Sequence, residues 1–184
     1  MIKKPGPIAL VMAQDHARLD RLMEEALDAR ESIRAEPFWD FRQGLLRHIG
    51  IEETILLPAL KNPSPELKAL AAQLRLEHGA LTNLLVPEPT QEIAAALRRI
   101  LEPHNLKEES ADGFYSFLDA RPKEEIENLL LKISQAPELP LRPYSQRPEA
   151  FKAALRAMQR AGYEMGTVPI SPNTQAPGSN PEEA

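Results

Sequence analysis

Hydrophobic residues over the first 120 positions recur at alternating steps of three and four, the spacing of one face of an α-helix. Four such segments, separated by short polar connections, cover residues 7–30, 37–61, 65–86 and 90–120. Proline fits the first turn of a helix, so the predicted helix starts are Pro7, Pro37, Pro65 and Pro89. Short connections between long helices predict an all-α fold, an up-down-up-down four-helix bundle.

The remainder of the chain predicts a short helical appendage and a disordered tail. A fifth helix begins near Pro122, and a later basic amphipathic helix carries Phe151, Leu155 and Met158 on one side. We expect this later helix to dock on the bundle. The predicted divisions are a bundle over 1–136, a proline-rich linker over 137–147, the amphipathic helix over 148–165 and a disordered tail over 166–184.

Each of the four apolar stripes is interrupted by a histidine. In the second and fourth segments a glutamate follows the histidine by four residues, which places both side chains on the same helical face. The polar positions in the stripes are His16, His48, Glu52, His78, His104 and Glu108. Because each histidine lies near the middle of a different helix, the four are expected to meet in a single site.

The stripes of the second and fourth segments extend beyond their glutamates. The second continues through Ile55, and the fourth through Ala111 and Tyr115, all predicted to face inward. Tyr115 has two interpretations: core packing, or a hydrogen bond to a bound ligand. Pro103, directly before His104, predicts a bend in the fourth helix.

Four imidazoles and two carboxylates in one buried layer need partners, and a cation supplies them. Without cysteine, any metal must be held by nitrogen and oxygen. Four nitrogens and two bridging carboxylates supply about eight of the twelve positions of two six-coordinate ions. Two iron ions with an oxo or hydroxo bridge are therefore predicted, with manganese as an alternative. The other interpretation is that these are unrelated polar residues; a single His-x-x-x-Glu occurs easily by chance.

The sequence resembles the hemerythrin-like, or HHE cation-binding, family over about residues 7–120. The resemblance lies in four stretches, "QDHARLDRLMEEAL", "RHIGIEETILLPAL", "RLEHGALTNLL" and "PHNLKEESADGFYSFL". It implies metal ligation by the same six residues, with Glu52 and Glu108 as carboxylate bridges.

The sequence departs from the oxygen-carrying members at two positions. Thr82 stands where they have a second histidine in the third helix, which implies open coordination on both metals. Their acid five residues after the fourth-helix histidine corresponds to Glu109, which we keep as an alternative to Glu108, and Glu53 is interpreted as a solvated neighbour of Glu52. Iron-cluster repair members are disfavoured, because the cysteine expected in them is absent.

The resemblance implies a protein that binds O2, NO or peroxide, for sensing or for redox and iron homeostasis. The alternative is a redox enzyme that consumes peroxide or NO. Iron storage is a weaker alternative, because no histidine follows a glutamate by three residues, as in ferritin-like bundles. Whether the protein is an enzyme, and which protein partner it has, stay open.

Composition and hydropathy argue against two other classes of partner, nucleic acid and membrane. A formal net charge of -5 argues against nucleic acid. No apolar stretch approaches the roughly 20 residues that span a bilayer, and no signal peptide is recognisable at the first residues, so we expect no membrane partner and a cytoplasmic location.

Overall fold

The computed structural model describes residues 4–27 and 32–165. Within these ranges the chain is helical, and its only β contact is one isolated bridge between Pro87 and Ser145. The elements are α1 (Pro7–Leu27), α2 (Ala35–Ile51), a π-helical segment (Glu52–Leu56), α3 (Pro65–Leu84), α4 (Gln91–Glu109), α5 (Phe114–Asp119), α6 (Lys123–Ser134) and α7 (Pro148–Arg160). The all-α prediction is confirmed. The predicted helix end at residue 30 and the disordered tail at 166–184 lie outside the described residues.

Two of the four predicted helix starts are wrong. Helices α1 and α3 begin at Pro7 and Pro65, as predicted. Helix α2 begins two residues before Pro37, at Ala35. Helix α4 begins two residues after Pro89, because the side chain of Thr90 accepts a hydrogen bond from the backbone N–H of Ile93 and so caps the helix.

Two predicted helices are interrupted just beyond their glutamates. The second passes into π-helical geometry over Glu52–Leu56, which advances the helical phase, so that Leu56 rather than Ile55 is fully buried. The fourth ends at Glu109, and a turn separates it from α5. Ala111, predicted to face inward, is exposed in this turn, whereas Tyr115 is buried as predicted. Helix α4 continues through Pro103.

The core consists of two apolar clusters. One joins the C-terminal half of α1, the N-terminal half of α2, the C-terminal end of α3, the N-terminal half of α4 and α7. The other joins the N-terminal half of α1, the end of the second helix, α3, α5 and α6. His16, His78 and His104 lie in the sequence between the residues of the two clusters, and His48 directly precedes Ile49, the last residue of the first cluster on α2. The up-down-up-down order of the four helices stays a prediction.

The linker is held against α2 by arginine side chains. Arg42 donates to the carbonyl of Arg142 over 2.8 Å and stacks on the ring of Tyr144, and Arg47 donates to the carbonyls of Ile133 and Ala136, directly before the linker. No helix or strand forms in residues 137–147. The linker therefore guides the chain from α6 to α7 along the helical core.

Helix α7 packs on the bundle, as predicted, and its partner there is α3. Met158 of the predicted face is buried, but Phe151 is exposed, and the other buried residues are Ala154 and Ala157. The buried face is therefore rotated from the predicted one towards the two alanines. No helix in the described part of the chain has the length and apolar character required to cross a membrane.

The turn between α4 and α5 depends on Gly113. A Cβ added there would lie 2.6 Å from the carbonyl oxygen of Lys107 and 2.7 Å from that of Glu108. We expect Gly113→Ala to lower the free energy of unfolding by about 1–3 kcal/mol, because backbone must move. Gly79→Ala is the control: no atom lies within 4 Å of its added Cβ, and it should stabilise α3 by about 0.5–1 kcal/mol. Urea unfolding measures both, and equal effects would contradict the assignment.

Candidate metal centre

All six predicted site residues lie together in the interior. His16 is on α1, His48 on α2, His78 on α3, and each is at most 4% exposed. Glu52 begins the π-helical segment, and His104 and Glu108 lie one turn apart on α4. Their ligand atoms form two groups, each with its members within 4.8 Å of one another: Glu52, His78, His104 and Glu108 in one, His16, His48 and Glu108 in the other.

The two carboxylates lie between two pairs of histidines. Glu52 directs Oε1 towards His48 Nε2 at 3.6 Å and Oε2 towards His78 Nε2 at 3.1 Å. Glu108 directs Oε2 towards His16 Nε2 at 3.4 Å and Oε1 towards His104 Nε2 at 3.3 Å. Each carboxylate thus offers one oxygen to each histidine pair, the arrangement required of a bridging ligand.

The other ring nitrogen of every histidine is paired with an outer carboxylate. His16 Nδ1 pairs with Glu109 at 2.5 Å, and His48 Nδ1 with Asp15 at 2.9 Å. A carboxylate on Nδ1 fixes the ring orientation and leaves the Nε2 lone pair for a metal, as is usual for metal-bound histidine.

The same pairing recurs at the other two histidines. His78 Nδ1 pairs with Glu53 at 2.6 Å, and His104 Nδ1 with Glu77 at 2.9 Å. All four Nε2 atoms therefore remain directed towards the two central carboxylates.

These outer pairs form a closed ring around the site. Asp15 of α1 pairs with the histidine of α2, and Glu53, just after α2, pairs with the histidine of α3. Glu77 of α3 pairs with the histidine of α4, and Glu109 of α4 pairs with the histidine of α1. Each of these carboxylates is adjacent in sequence to a predicted ligand, but it supports the histidine of a neighbouring helix.

Glu53 and Glu109 lie in this outer ring. Neither belongs to the two ligand groups: Glu109 pairs with His16, and Glu53, partly exposed, pairs with His78, so Glu108 stays the predicted ligand of α4. Sequence reasoning missed Asp15 and Glu77. Their signal was the Asp-His and Glu-His dipeptides, in which each acid directly precedes a predicted ligand.

Tyr115 contacts the two central carboxylates, whereas Thr82 does not. The Tyr115 hydroxyl, fully buried, donates to Glu52 Oε1 over 2.5 Å and lies 3.1 Å from Glu108 Oε2. Burial and the two carboxylates raise its pKa well above the usual range, so the phenol keeps its proton. Thr82 donates instead to the carbonyl of His78 within its own helix, over 2.8 Å. Tyr115 therefore packs in the core and also bonds the site.

Without a cation, His16 and His78 compensate the buried carboxylates by holding protons. Burial opposes the charged form, but the hydrogen bonds that His16 donates to Glu108 and Glu109 raise its pKa to about 10. The pKa of His78, which donates to Glu52 and Glu53, is raised to about 10 in the same way. Burial also opposes ionisation of Glu52, but the nearby histidines hold its pKa well below its usual range, whereas burial and the charge of Glu52 raise that of Glu108.

Several buried atoms at the centre have no hydrogen-bond partner. Glu52 Oε2, His78 Nε2 and Glu108 Oε1 are inaccessible to solvent and make no hydrogen bond of good geometry among the described residues, although Glu52 Oε2 lies 3.1 Å from His78 Nε2 and Glu108 Oε1 lies 3.3 Å from His104 Nε2. An unpaired buried polar atom is destabilising by roughly 1–3 kcal/mol. A cation coordinated by these three atoms would remove this cost for all of them. The residues present therefore fit a metal with nitrogen and oxygen ligands.

The raised histidine pKa values predict a pH dependence for the cation-free protein. The folded pKa of about 10 for His16 and His78 exceeds the unfolded value of 6.5, so their stabilisation is complete below about pH 6.5 and is lost as the pH rises through 10. We therefore expect the free energy of unfolding, measured in urea with chelator present, to fall by a few kcal/mol as the pH is raised from about 6.5 to about 10.

The control for this measurement is the double variant His16→Gln and His78→Gln, which should show a flatter profile over the same range. A wild-type stability that is constant or rising above pH 7 contradicts proton storage on these two rings.

Comparison with known proteins identifies one family. The model of the hemerythrin HHE cation binding domain matches residues 8–113, which is more than half of the chain and contains all six predicted ligands. No curated protein matches the chain. No solved structure matches it either.

Proposed function

Since the chain belongs to the hemerythrin HHE cation-binding domain family, we propose that it holds two iron ions and binds a small ligand such as O2, NO or peroxide. The ligands in this proposal are His16, His48, Glu52, His78, His104 and Glu108, carried by four helices in up-down-up-down order. The biological role is sensing, or redox and iron homeostasis. A cytoplasmic location stays a prediction.

The observation that carries the proposal is the arrangement of donors. Four Nε2 atoms face two buried carboxylates, and each carboxylate offers one oxygen to each histidine pair. His16 and His48 would hold one ion and His78 and His104 the other, and Glu52 and Glu108 would each serve both ions. Mixed nitrogen and oxygen ligands favour iron, with manganese as the alternative.

Iron in such a site supplies reversible ligand binding or electron transfer. The chain supplies orientation: the outer carboxylates fix all four rings, and Tyr115 holds a proton beside Glu52 and Glu108. A groove of about 660 Å³ between α1 and α4 reaches Glu109, the partner of His16.

The metal content tests the proposal directly. Protein purified without oxygen and supplied with ferrous iron should hold about two irons per chain, as the ligand count requires, and its visible spectrum should change on exposure to air. One zinc ion, or no metal, contradicts the proposal.

Two glutamates of α4 provide a matched pair of variants for that experiment. Glu108 is fully buried in the centre, whereas Glu102 is exposed on the same helix. Glu108→Gln should lose most of the iron, because it removes the shared bridging charge, and Glu102→Gln should retain it.

A redox enzyme that consumes peroxide or NO is the alternative, and the buried hydroxyl of Tyr115 favours it because a fixed hydrogen-bond donor beside the centre can stabilise charge that develops during a reaction. For the binding function, stopped-flow peroxide consumption should be no faster than with free ferrous iron. Faster consumption that Tyr115→Phe lowers by about 100-fold, while Tyr144→Phe leaves it unchanged, would support the enzyme instead. Iron storage remains the weaker alternative, since no histidine follows a glutamate by three residues.

A further inference from the structure

The chain beyond α7 returns to the metal centre. Gly162 adopts a left-handed conformation, with φ at 88°, which ends the helix, and the N–H of Tyr163 bonds to the carbonyl of Met158 over 2.9 Å. This turn places the Tyr163 hydroxyl 2.9 Å from Glu77 Oε1, to which it donates. Glu77 is the residue that holds His104.

Glu77 differs from the other three outer carboxylates in its surroundings. It is fully buried, whereas Asp15, Glu53 and Glu109 are 19%, 32% and 38% exposed at their side chains. Its Oε2 accepts from His104, and its Oε1 accepts from Gln73, Lys107 and Tyr163. The hydrogen bond between His104 and Glu77 is thus shielded from solvent, and Glu77 is surrounded by hydrogen-bond donors.

A second contact connects the same region. Gln73, which donates to Glu77, also donates to the carbonyl of Ala161 at the end of α7 over 3.0 Å. Arg99 of α4 donates to the carbonyl of Glu164 over 2.9 Å. Among the described outer carboxylates, Glu77 alone is hydrogen-bonded by the segment that follows α7. The position of α7 on α3 is therefore connected, through hydrogen bonds to Glu77, with one predicted metal ligand, His104.

We propose that Tyr163 is a positioning residue for the metal centre, which couples the docking of residues 148–165 to His104 through Glu77. The inference rests on the proposed metal site. It adds a specific path, from Tyr163 through Glu77 to His104, by which ligand state and C-terminal docking influence one another. Such coupling is reciprocal, because it is a free energy shared by the two events.

The direction of the effect follows from hydrogen-bond competition. Each donor to Glu77 withdraws charge from the carboxylate that accepts from His104 Nδ1. Without the Tyr163 hydroxyl, Glu77 is a stronger acceptor, His104 is a stronger electron donor, and the oxidised metal is favoured. The reduction potential of the iron in the full-length chain should therefore fall.

The experiment compares Tyr163→Phe with Tyr144→Phe, both loaded with ferrous iron. Both variants lose one hydroxyl from the C-terminal part of the chain, but Tyr144 packs on Arg42, away from the outer carboxylates. We expect a lowered potential in Tyr163→Phe only. An unchanged or raised potential, or an equal shift in Tyr144→Phe, overturns the proposal. Wild-type protein that holds no iron contradicts the metal site itself, a separate failure.

Hydrogen exchange of the wild-type chain gives a second measurement that needs no variant. Iron loading should slow exchange in residues 148–163 more than in α6, which packs on the other cluster. Equal slowing in both segments indicates general stabilisation and overturns the coupling. This comparison remains decisive where Tyr163→Phe does not fold.

Discussion

The interior of this protein depends on compensation of charge at two buried carboxylates. Glu52 and Glu108 are completely inaccessible to solvent, and the polar groups around them are four buried histidines and the Tyr115 hydroxyl. Isolated carboxylates cannot remain ionised there at acceptable free energy, so positive charge must be supplied. Protons on His16 and His78 supply it in the cation-free chain. Metal ions replace those protons in the proposed function, which links metal binding to proton release.

The ring of outer carboxylates connects that compensation to the tertiary structure. Each helix of the centre contributes one histidine and one acid that supports a neighbour's histidine. A histidine is therefore correctly oriented only when the adjacent helix is in place. The site and the packing of the four helices stabilise each other, and the coupling proposed for Tyr163 extends the same principle to α7.

Much of this arrangement can be predicted from sequence. Helical spacing placed six polar residues on four inward faces, and all six meet, because position within a helix fixes the direction of its side chain. The pairing of His48 with Asp15, or of His104 with Glu77, was not predictable. It depends on the distance and rotation between helices, which apolar spacing leaves undetermined. The burial of Ala154 and Ala157 in place of Phe151 was also missed, because the rotation of α7 on α3 is likewise left undetermined by apolar spacing.

Two departures from regular helix, the π-helical segment and the break after α4, were also not predicted, because apolar spacing does not mark them. Both lie at the two central carboxylates. The π-helical segment begins at Glu52, and α4 ends one residue after Glu108. In both places two consecutive glutamates serve different histidines: the first faces the centre and the second supports a ring from outside. The break after α4 also brings Tyr115 to both central carboxylates. Regular helices would have been more stable locally, so the departures are explained by the site that they complete.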